Sequence, residues 1–256
     1  MPTNPVMTDL PLKDRIALVV GASRGIGYES ALALAKAGAH VIATARTVGG
    51  LEELDDAIFA ATGKHATLIP FDLVDGGAID RLGGAIHERF GRLDVWVQAA
   101  ATMGASGLTP VSHADPRIWA KVEKTNFTAV YRLIRSLEPL LKVSDAGRAV
   151  YLTTSVAAAP RAFWGLYAAT KAGAVALIKC WADEIESMPI RVSIVDPGRM
   201  RTAMRAQAFP GEDPQDVIHP SAIGPLIVEL ARGDLEPPLE VRFRDWNQGP
   251  GVAALI

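Results

Sequence analysis

The feature that most constrains the fold of this chain is a short apolar strand followed at once by a glycine-rich loop and a helix. Residues 15–20 have the continuous apolar pattern of a strand buried on both faces, and the sequence GASRGIG then leads into an alanine-rich helix. Glycines at 21, 25 and 27 allow a tight turn and a close backbone approach to a ligand. The helix N-terminus beyond them offers unpaired N–H groups to a phosphate. Because the spacing is GxxxGxG and not GxGxxG, an ordinary strand-to-helix turn is the alternative.

Alternation of strand and helix patterns continues along the chain and predicts a single α/β domain. Strands are predicted at 15–20, 39–44, 66–70, 93–97, 148–153, 190–195 and 240–244, and helices near 25–37, 50–61, 76–90, 116–141, 165–187 and 221–231. Intervening helices imply right-handed crossovers between parallel strands. Ligands of such sheets bind beyond the carboxyl ends of the strands.

Composition is consistent with this architecture and excludes several classes of protein. The 256 residues are 49% hydrophobic, enough for one sizeable core. A net charge of −2 with interspersed signs gives no footprint for nucleic acid or an anionic membrane. Residues 1–12 contain three prolines and lack the basic and apolar regions of a signal peptide, so we expect a flexible arm before a domain spanning 13–256. Since no apolar run reaches about 18 residues, we expect a cytoplasmic protein.

Cysteine and histidine give no sign of a metal site. Cys180 is the only cysteine, and its apolar neighbours predict a buried position. The histidines stand singly, without HxH or HxxxH pairing. No metal is therefore expected.

Tyr167 and Lys171 are the strongest candidates for chemistry. They stand four residues apart in a predicted helix, so both project from one face, where the ammonium can stabilise a phenolate. A tyrosine needs such help near neutrality because its ordinary pKa is about 10. A half-buried tyrosine beside a solvated lysine is the alternative for an isolated YxxxK pattern.

Taken together, these motifs resemble the short-chain dehydrogenase/reductase family from about residue 14 to the strand near Val241. Its landmarks occur in order along the sequence: the glycine loop, Asp72-Leu73, Asn126, Ser155, the Tyr167/Lys171 pair, Pro197-Gly198 and Thr202. The closest likeness is to bacterial oxidoreductases of poorly defined substrate. The resemblance implies a Rossmann-like doubly wound parallel sheet with helices on both faces.

The resemblance also implies roles for individual residues. Tyr167 would be the general acid and base, Lys171 would lower its pKa and hold the nicotinamide ribose, Ser155 would orient the substrate oxygen, and Asn126 would support a water leading to Lys171. The implied nucleotide contacts are Gly21, Ser23, Arg24, Gly25, Ile26, Gly27, Arg46, Asp72, Leu73, Ala99, Tyr167, Lys171, Pro197, Gly198 and Thr202.

The residues after the second strand favour NADP over NAD. An NAD enzyme typically places a carboxylate there, whereas this chain has Ala45 and Arg46. Arg46 can pair with a 2′-phosphate, and Arg24 of the glycine loop can join it. Solvated arginines are the alternative.

Three departures from the family pattern affect the predicted site. Ser155 lies 12 residues before Tyr167, whereas the family usually has 13, so Thr154 is a second candidate for the orienting hydroxyl; the local sequence Ser-Val-Ala favours Ser155. The usual Asn-Asn-Ala-Gly is Gln98-Ala-Ala-Ala101, and the usual threonine before the first glycine is Val20. In the family the side chains at these positions usually hydrogen-bond to one another, so we interpret the changes as a matched apolar replacement.

The substrate is not predicted, although the segment that would close its pocket is. After Gly198, Met200, Met204 and Phe209 could form an apolar wall with Trp164, and Arg199, Arg201 or Arg205 could bind an anion. A short amphipathic helix with solvated arginines is equally compatible with the spacing.

Two expectations concern the protein's wider role. Small residues along the Tyr167 helix, together with the oligomers common in the family, predict a homodimer or homotetramer. The resemblance implies that the substrate is a small carbonyl compound or alcohol. A catalytically silent NADP-binding regulator or interaction protein is the alternative function. Loss of Tyr167 or Lys171 would favour the regulator, and both residues are present; an unexplained insertion or a basic stripe would favour the interaction protein, and the sequence has neither.

Overall fold

Strands and helices alternate along the chain in the computed structural model, which describes residues 10–105 and 107–249. The strands are β1 Ile16–Val20, β2 His40–Thr44, β3 Thr67–Leu68, β4 Val95–Gln98, β5 Gly147–Leu152, β6 Ile190–Asp196 and β7 Glu240–Arg242. The α-helices are α1 Gly25–Lys36, α2 Val48–Thr62, α3 Gly76–Phe90, α4 Pro116–Glu123, α5 Ala129–Leu141, α6 Ser155–Ala158, α7 Gly165–Glu184, α8 Ala203–Ala208, α9 Gly224–Ala231 and α10 Phe243–Gln248.

The sheet has the predicted doubly wound parallel topology. Its strand order is β3-β2-β1-β4-β5-β6-β7, and every neighbouring pair is parallel. The strand order reverses between β1 and β4, so a crevice opens there beyond the carboxyl ends of the strands. The Rossmann-like fold predicted from the sequence is confirmed.

Apolar residues cover both faces of this sheet, because consecutive side chains of a strand point to opposite faces. One cluster contains Val19 of β1 with Leu34 of α1, and the other contains Leu18 of β1 with Leu133 of α5. Leu12, at the end of the predicted arm, is fully buried in the first cluster, and its N–H donates to the carbonyl of Ala37 at 2.9 Å. Residues 1–9 of that arm lie outside the described residues, as does the end of the predicted domain from 250 onward.

The long helix predicted over 116–141 is interrupted. A π-helical turn, Lys124–Thr128, separates α4 from α5, and Asn126 lies within it. Such turns frequently occur at functional sites. The sequence pattern could not separate this turn from its flanks, because one wider turn changes the helical period only slightly.

Other element boundaries also differ from the predictions. The strand predicted over 66–70 is reduced to Thr67–Leu68, although the N–H of Ile69 still donates to the carbonyl of Ala43 in β2 and that of Phe71 to the carbonyl of Ala45 directly after it. The strand predicted over 240–244 ends at Arg242, where α10 begins. The prediction that Cys180 is buried was wrong: the cysteine is exposed because it lies on the solvent side of α7. Across the described ranges, no helix is long and apolar enough to span a membrane.

Candidate active site

Two adjoining cavities lie beyond the carboxyl ends of the strands. The first, of about 360 Å³, follows the glycine loop and reaches Lys171. The second, of about 580 Å³, extends from Thr153 toward α8. Tyr167 belongs to the wall of both cavities. A molecule in the first cavity can therefore meet a molecule in the second beside one phenol.

The glycine loop has a shape that side chains would obstruct. Gly21 has φ +91°, and a Cβ there would lie 2.6 Å from the backbone nitrogen of Ala100. A Cβ on Gly27 would lie 2.1 Å from the carbonyl oxygen of Gly21. Gly25 has φ +59° and faces the methyl group of Thr202. Hydrogen at these positions allows the loop to pack this closely, and the N–H groups of Gly21 and Ala22 donate to the Thr44 carbonyl. The first N–H groups of α1 have no carbonyl partner within the helix, so this cradle fits a dinucleotide phosphate.

The predicted nucleotide contacts lie around this cradle. The first cavity is lined by all of them except Gly198, namely Gly21, Ser23, Arg24, Gly25, Ile26, Gly27, Arg46, Asp72, Leu73, Ala99, Tyr167, Lys171, Pro197 and Thr202. Gly198 lines the second cavity. Arg46 Nη1 lies 3.9 Å from a carboxylate oxygen of Asp72, and its side chain is 56% exposed. An exposed, loosely paired guanidinium can turn toward an incoming phosphate.

Tyr167 and Lys171 are both buried on α7. Burial raises the pKa of Tyr167 to about 12, and the charge of Asp196 adds to this. Burial lowers the pKa of Lys171 to about 7. The sequence analysis expected the ammonium to lower the pKa of the phenol. Loss of hydration dominates both shifts, because both side chains are largely buried.

Lys171 is oriented by β5, which the sequence analysis did not anticipate. Its Nζ donates to the carbonyl of Leu152 and lies 4.1 Å from the centre of the Tyr151 ring. The negative face of an aromatic ring attracts a cation, more strongly where water is excluded. The hydroxyl of Tyr151 is buried without a hydrogen-bond partner among the described residues. The sequence feature that could have indicated this contact is the aromatic residue Tyr151 near the end of a predicted strand.

Asn126 is fixed behind the first cavity and lines neither cavity. Its Oδ1 accepts from the N–H of Thr102 at 2.8 Å, and its Nδ2 donates to the Thr102 carbonyl at 2.8 Å. Nδ2 also donates to Oγ1 of Thr170 at 3.1 Å. Thr170 in turn donates to the carbonyls of Leu166 and Tyr167. Asn126 therefore joins the π turn to the α7 segment that carries Tyr167.

Three neighbouring hydroxyls follow β5. Thr153, Thr154 and Ser155 all line the second cavity, and Ser155 is the exposed first residue of α6. Thr153 also lines the first cavity, and its Oγ1 is buried without a partner in the described part of the chain. Sequence reasoning considered Ser155 and Thr154 and missed Thr153. The sequence feature that could have identified Thr153 is its position directly after β5, where the chain enters the site.

Aromatic side chains form much of the second cavity's wall. The ring of Trp164 lies 5.9 Å from that of Tyr167 and 6.1 Å from that of Phe209. Arg205 donates to the Glu212 carboxylate and stacks on Phe209, its guanidinium carbon 3.7 Å from the ring centre. Arg205 is thus held in the wall and is not simply solvated.

The predicted apolar replacement at Val20 and Gln98 is only partly apolar. These residues pair across β1 and β4, and both are buried. Gln98 Nε2 donates to the Ala100 carbonyl at 3.2 Å, but Oε1 has no partner among the residues described. The end of β1 is joined to the segment after β4 through the backbone, because the Val20 carbonyl accepts from the N–H groups of Ala99 and Ala100.

No group of histidine, cysteine or acidic side chains in the described ranges could hold a metal ion.

Known proteins share the sequence and fold around this site. Residues 15–213 match the family described as short chain dehydrogenase. The oxidoreductase YciK of Escherichia coli K12 is 38% identical over 246 residues, covering 94% of this chain and 96% of that protein. The 3-oxoacyl-[acyl-carrier-protein] reductase FabG of the same organism is 32% identical, covering 74% of this chain and 75% of its own length.

Solved structures agree with these sequence relationships. A short chain dehydrogenase of Shigella flexneri, complexed with NADP, is 36% identical and superimposes with a TM-score of 0.88, covering 93% of this chain and all of the other. A second from Escherichia coli CFT073, complexed with NADPH, is also 36% identical, with a TM-score of 0.87 and coverage of 93% and 99%. The chain therefore belongs to the short-chain dehydrogenase/reductase family of oxidoreductases.

Proposed function

We propose that this protein is an NADP(H)-dependent oxidoreductase that interconverts a carbonyl and an alcohol, with Tyr167 as general acid and base. The observation that carries the proposal is the position of Tyr167 in the shared wall of the two cavities. A group there can reach both a nucleotide held by the glycine cradle and a substrate in the second cavity. Residues 13–256 would form this one nucleotide-binding domain.

Support for NADP comes from the chain's own charges and from its relatives. Arg24 and Arg46 line the nucleotide cavity, and the position directly after β2 is Ala45 where an NAD enzyme would carry an acid. The related structures from Shigella flexneri and Escherichia coli were complexed with NADP and NADPH. When bound, the nicotinamide would supply or accept the hydride.

Tyr167 is suited to supply the proton in the reductive direction. Its raised pKa keeps the phenol protonated at neutral pH, as a general acid must be. As the carbonyl carbon gains the hydride that the nicotinamide would supply, the Tyr167 hydroxyl would give its proton to the carbonyl oxygen, leaving an alcohol and a phenolate. A positive charge on Lys171 would stabilise that phenolate, and solvent would then return the proton. In oxidation the phenolate would take the alcohol proton.

Removal of the phenolic hydroxyl tests this proposal. Tyr167→Phe retains the ring that packs against Trp164, so NADPH affinity and melting temperature should stay close to the original values. Turnover of carbonyl compounds, followed at 340 nm, should fall about 10²–10⁴-fold, the usual scale for a general acid. Ser155→Ala should lower turnover more than Thr154→Ala if Ser155 orients the substrate. Near-native turnover by Tyr167→Phe would refute the mechanism.

A catalytically silent NADP-binding regulator is the second candidate, and the same measurements separate it from the enzyme. NADPH fluorescence titration reports binding, and a panel of carbonyl compounds reports turnover. Binding without turnover of any compound would favour the regulator. The cytoplasmic location stays a prediction.

A further inference from the structure

The second cavity concentrates positive charge on a protein that is slightly acidic overall. Arg161, Arg199, Arg205 and Arg244 line it, whereas Asp196 is the single carboxylate among the described residues that line it. The whole chain carries a net charge of −2. Because basic residues do not outnumber acidic residues in the chain, its overall charge does not explain four arginines around one cavity. A cleft lined by one sign of charge raises the local concentration of ligands of the other sign.

Two of these arginines already have charged partners. Arg205 is paired with Glu212, and Arg244 lies 3.9 Å from Asp245. The side chain of Arg161 forms no hydrogen bond or ion pair with any residue that the structure describes. Arg199 forms none either, although its charge helps Arg205 to lower the pKa of the Glu212 carboxylate. Arg161 and Arg199 are both exposed. Their guanidinium groups are available to pair with an incoming oxyanion, which arginine binds through two parallel hydrogen bonds.

These two arginines enter the cavity from different loops. Arg161 precedes α7, which carries Tyr167, and Arg199 directly follows Gly198 after β6. The rest of the wall includes Trp164, Met204 and Phe209, which offer apolar and aromatic surface. A ligand that fits this arrangement has an apolar body and an anionic group.

We propose that the substrate is an apolar carbonyl compound bearing a carboxylate or phosphate group, which Arg161 and Arg199 bind while the carbonyl meets Tyr167. This inference rests on the proposed oxidoreductase function, because it assigns a substrate class to that same cavity. The carboxylate and the phosphate share the oxyanion chemistry that two guanidinium groups recognise.

Ligand binding to the NADP-loaded protein tests the inference without requiring turnover. Calorimetry would compare decanoate, decyl phosphate and decanamide, which share an alkyl chain and differ in their polar group. We expect at least one anion to bind about tenfold more tightly than the neutral amide, the lower end of the range for a hydrogen bond to a charged group. Whichever anion binds more tightly identifies the preferred group.

Variants then assign the effect to the two arginines. The double variant Arg161→Ala/Arg199→Ala should bind anion and amide equally, with an unchanged melting temperature and unchanged NADP affinity. Arg81→Ala is the matched control, since Arg81 is an exposed arginine on α3 that lines neither cavity. It should keep the original preference. In turnover assays the double variant should raise KM for 4-oxodecanoate about tenfold and leave KM for its amide unchanged.

The outcomes separate this inference from the proposed function. Equal binding of anions and amide by the original protein, binding of none of them, or equal losses in the control variant would overturn the inference. A loss of NADP affinity on Arg199→Ala would also overturn it, because Arg199 would then serve the nucleotide. Selective anion binding without turnover of any carbonyl would uphold the anion site and contradict the oxidoreductase function.

Discussion

Arg46 and Asp72 together should determine which nucleotide the protein accepts. The Arg46 guanidinium lies 3.9 Å from the Asp72 carboxylate, and both residues line the nucleotide cavity. A 2′-phosphate would draw Arg46 from Asp72 and place a negative group near that carboxylate. Without the arginine, Asp72 would repel the phosphate, whereas the uncharged ribose hydroxyl of NAD would meet no such repulsion.

Arg46→Ala should therefore weaken NADPH binding by about tenfold to a hundredfold, as expected for the loss of a charge-assisted hydrogen bond. NADH binding should change little. Fluorescence titration with each nucleotide measures both effects, and Arg81→Ala on α3 again serves as the control. Equal losses for the two nucleotides would show that Arg46 does not select the 2′-phosphate.

Single residues also show where sequence reasoning succeeds and where it fails. The four-residue spacing was enough to place Tyr167 and Lys171 in one wall, because helix geometry is local. Their pKa values could not be predicted in the same way. Those values depend on burial by parts of the chain that are distant in sequence and, for Tyr167, on the charge of Asp196 at the end of β6.

Elements were predicted well where their pattern was long and periodic. The limits of α1 and α3 nearly coincide with the predictions, because a glycine follows each predicted end and an amphipathic pattern fills each helix. The π turn at Asn126 was missed, as were α6 and α10, whereas α8 lies in the segment after Gly198 for which a short helix was one of two alternatives. Each of these elements is short, so packing against the rest of the fold can determine it more than its own periodicity.

Neighbouring glycines in α3 offer a test of helix packing. A Cβ on Gly83 would lie 2.2 Å from the carbonyl oxygen of Ser136 in α5. A Cβ on Gly84 would meet nothing within 4 Å. Gly84→Ala should raise the free energy of unfolding by about 0.5–1 kcal/mol, because alanine costs less backbone entropy in a helix.

Gly83→Ala makes the same change in helix propensity as Gly84→Ala. It should nevertheless lower the free energy of unfolding, since α3 must move away from α5. Its N–H also donates to Ser136 Oγ at 2.9 Å, and that bond would lengthen. Urea unfolding of both variants provides the comparison. Equal stabilisation by the two substitutions would show that the close approach of these helices is not needed.

On the scale of the whole molecule, α7 presents a surface suited to self-association. Ala169, Ala176 and Cys180 are exposed at helical spacing, and small residues permit the close approach of a second helix. We predict a homodimer or homotetramer, measured by light scattering at micromolar concentration. Ala176→Arg should reduce the mass by placing a charge in the interface, whereas Arg81→Ala on α3 should not. A monomeric mass for the original protein would contradict the prediction.

Lys171 also links the active site to the stability of the whole fold. Its pKa is lowered to about 7 by burial, whereas a lysine in an unfolded chain titrates near 10.4. Between these values the unfolded chain binds more protons than the folded protein. The free energy of unfolding attributable to this group therefore rises with pH across that window, by up to about 1.4 kcal/mol per pH unit. Tyr167 contributes in the opposite direction only above pH 10, because its folded pKa is raised.

Lys171→Met isolates this effect, because methionine fills a similar volume without a titrating group. Urea unfolding of the nucleotide-free protein between pH 7 and 9.5 should show a steeper rise with pH for the original protein than for this variant. Lys36→Met removes an exposed lysine at the end of α1 and should leave the rise unchanged. Parallel curves for the original protein and Lys171→Met would mean that Lys171 has the same affinity for its proton in the folded and unfolded chains. Burial would then not lower the pKa of Lys171, and the lysine would make no pH-dependent contribution to the free energy of unfolding.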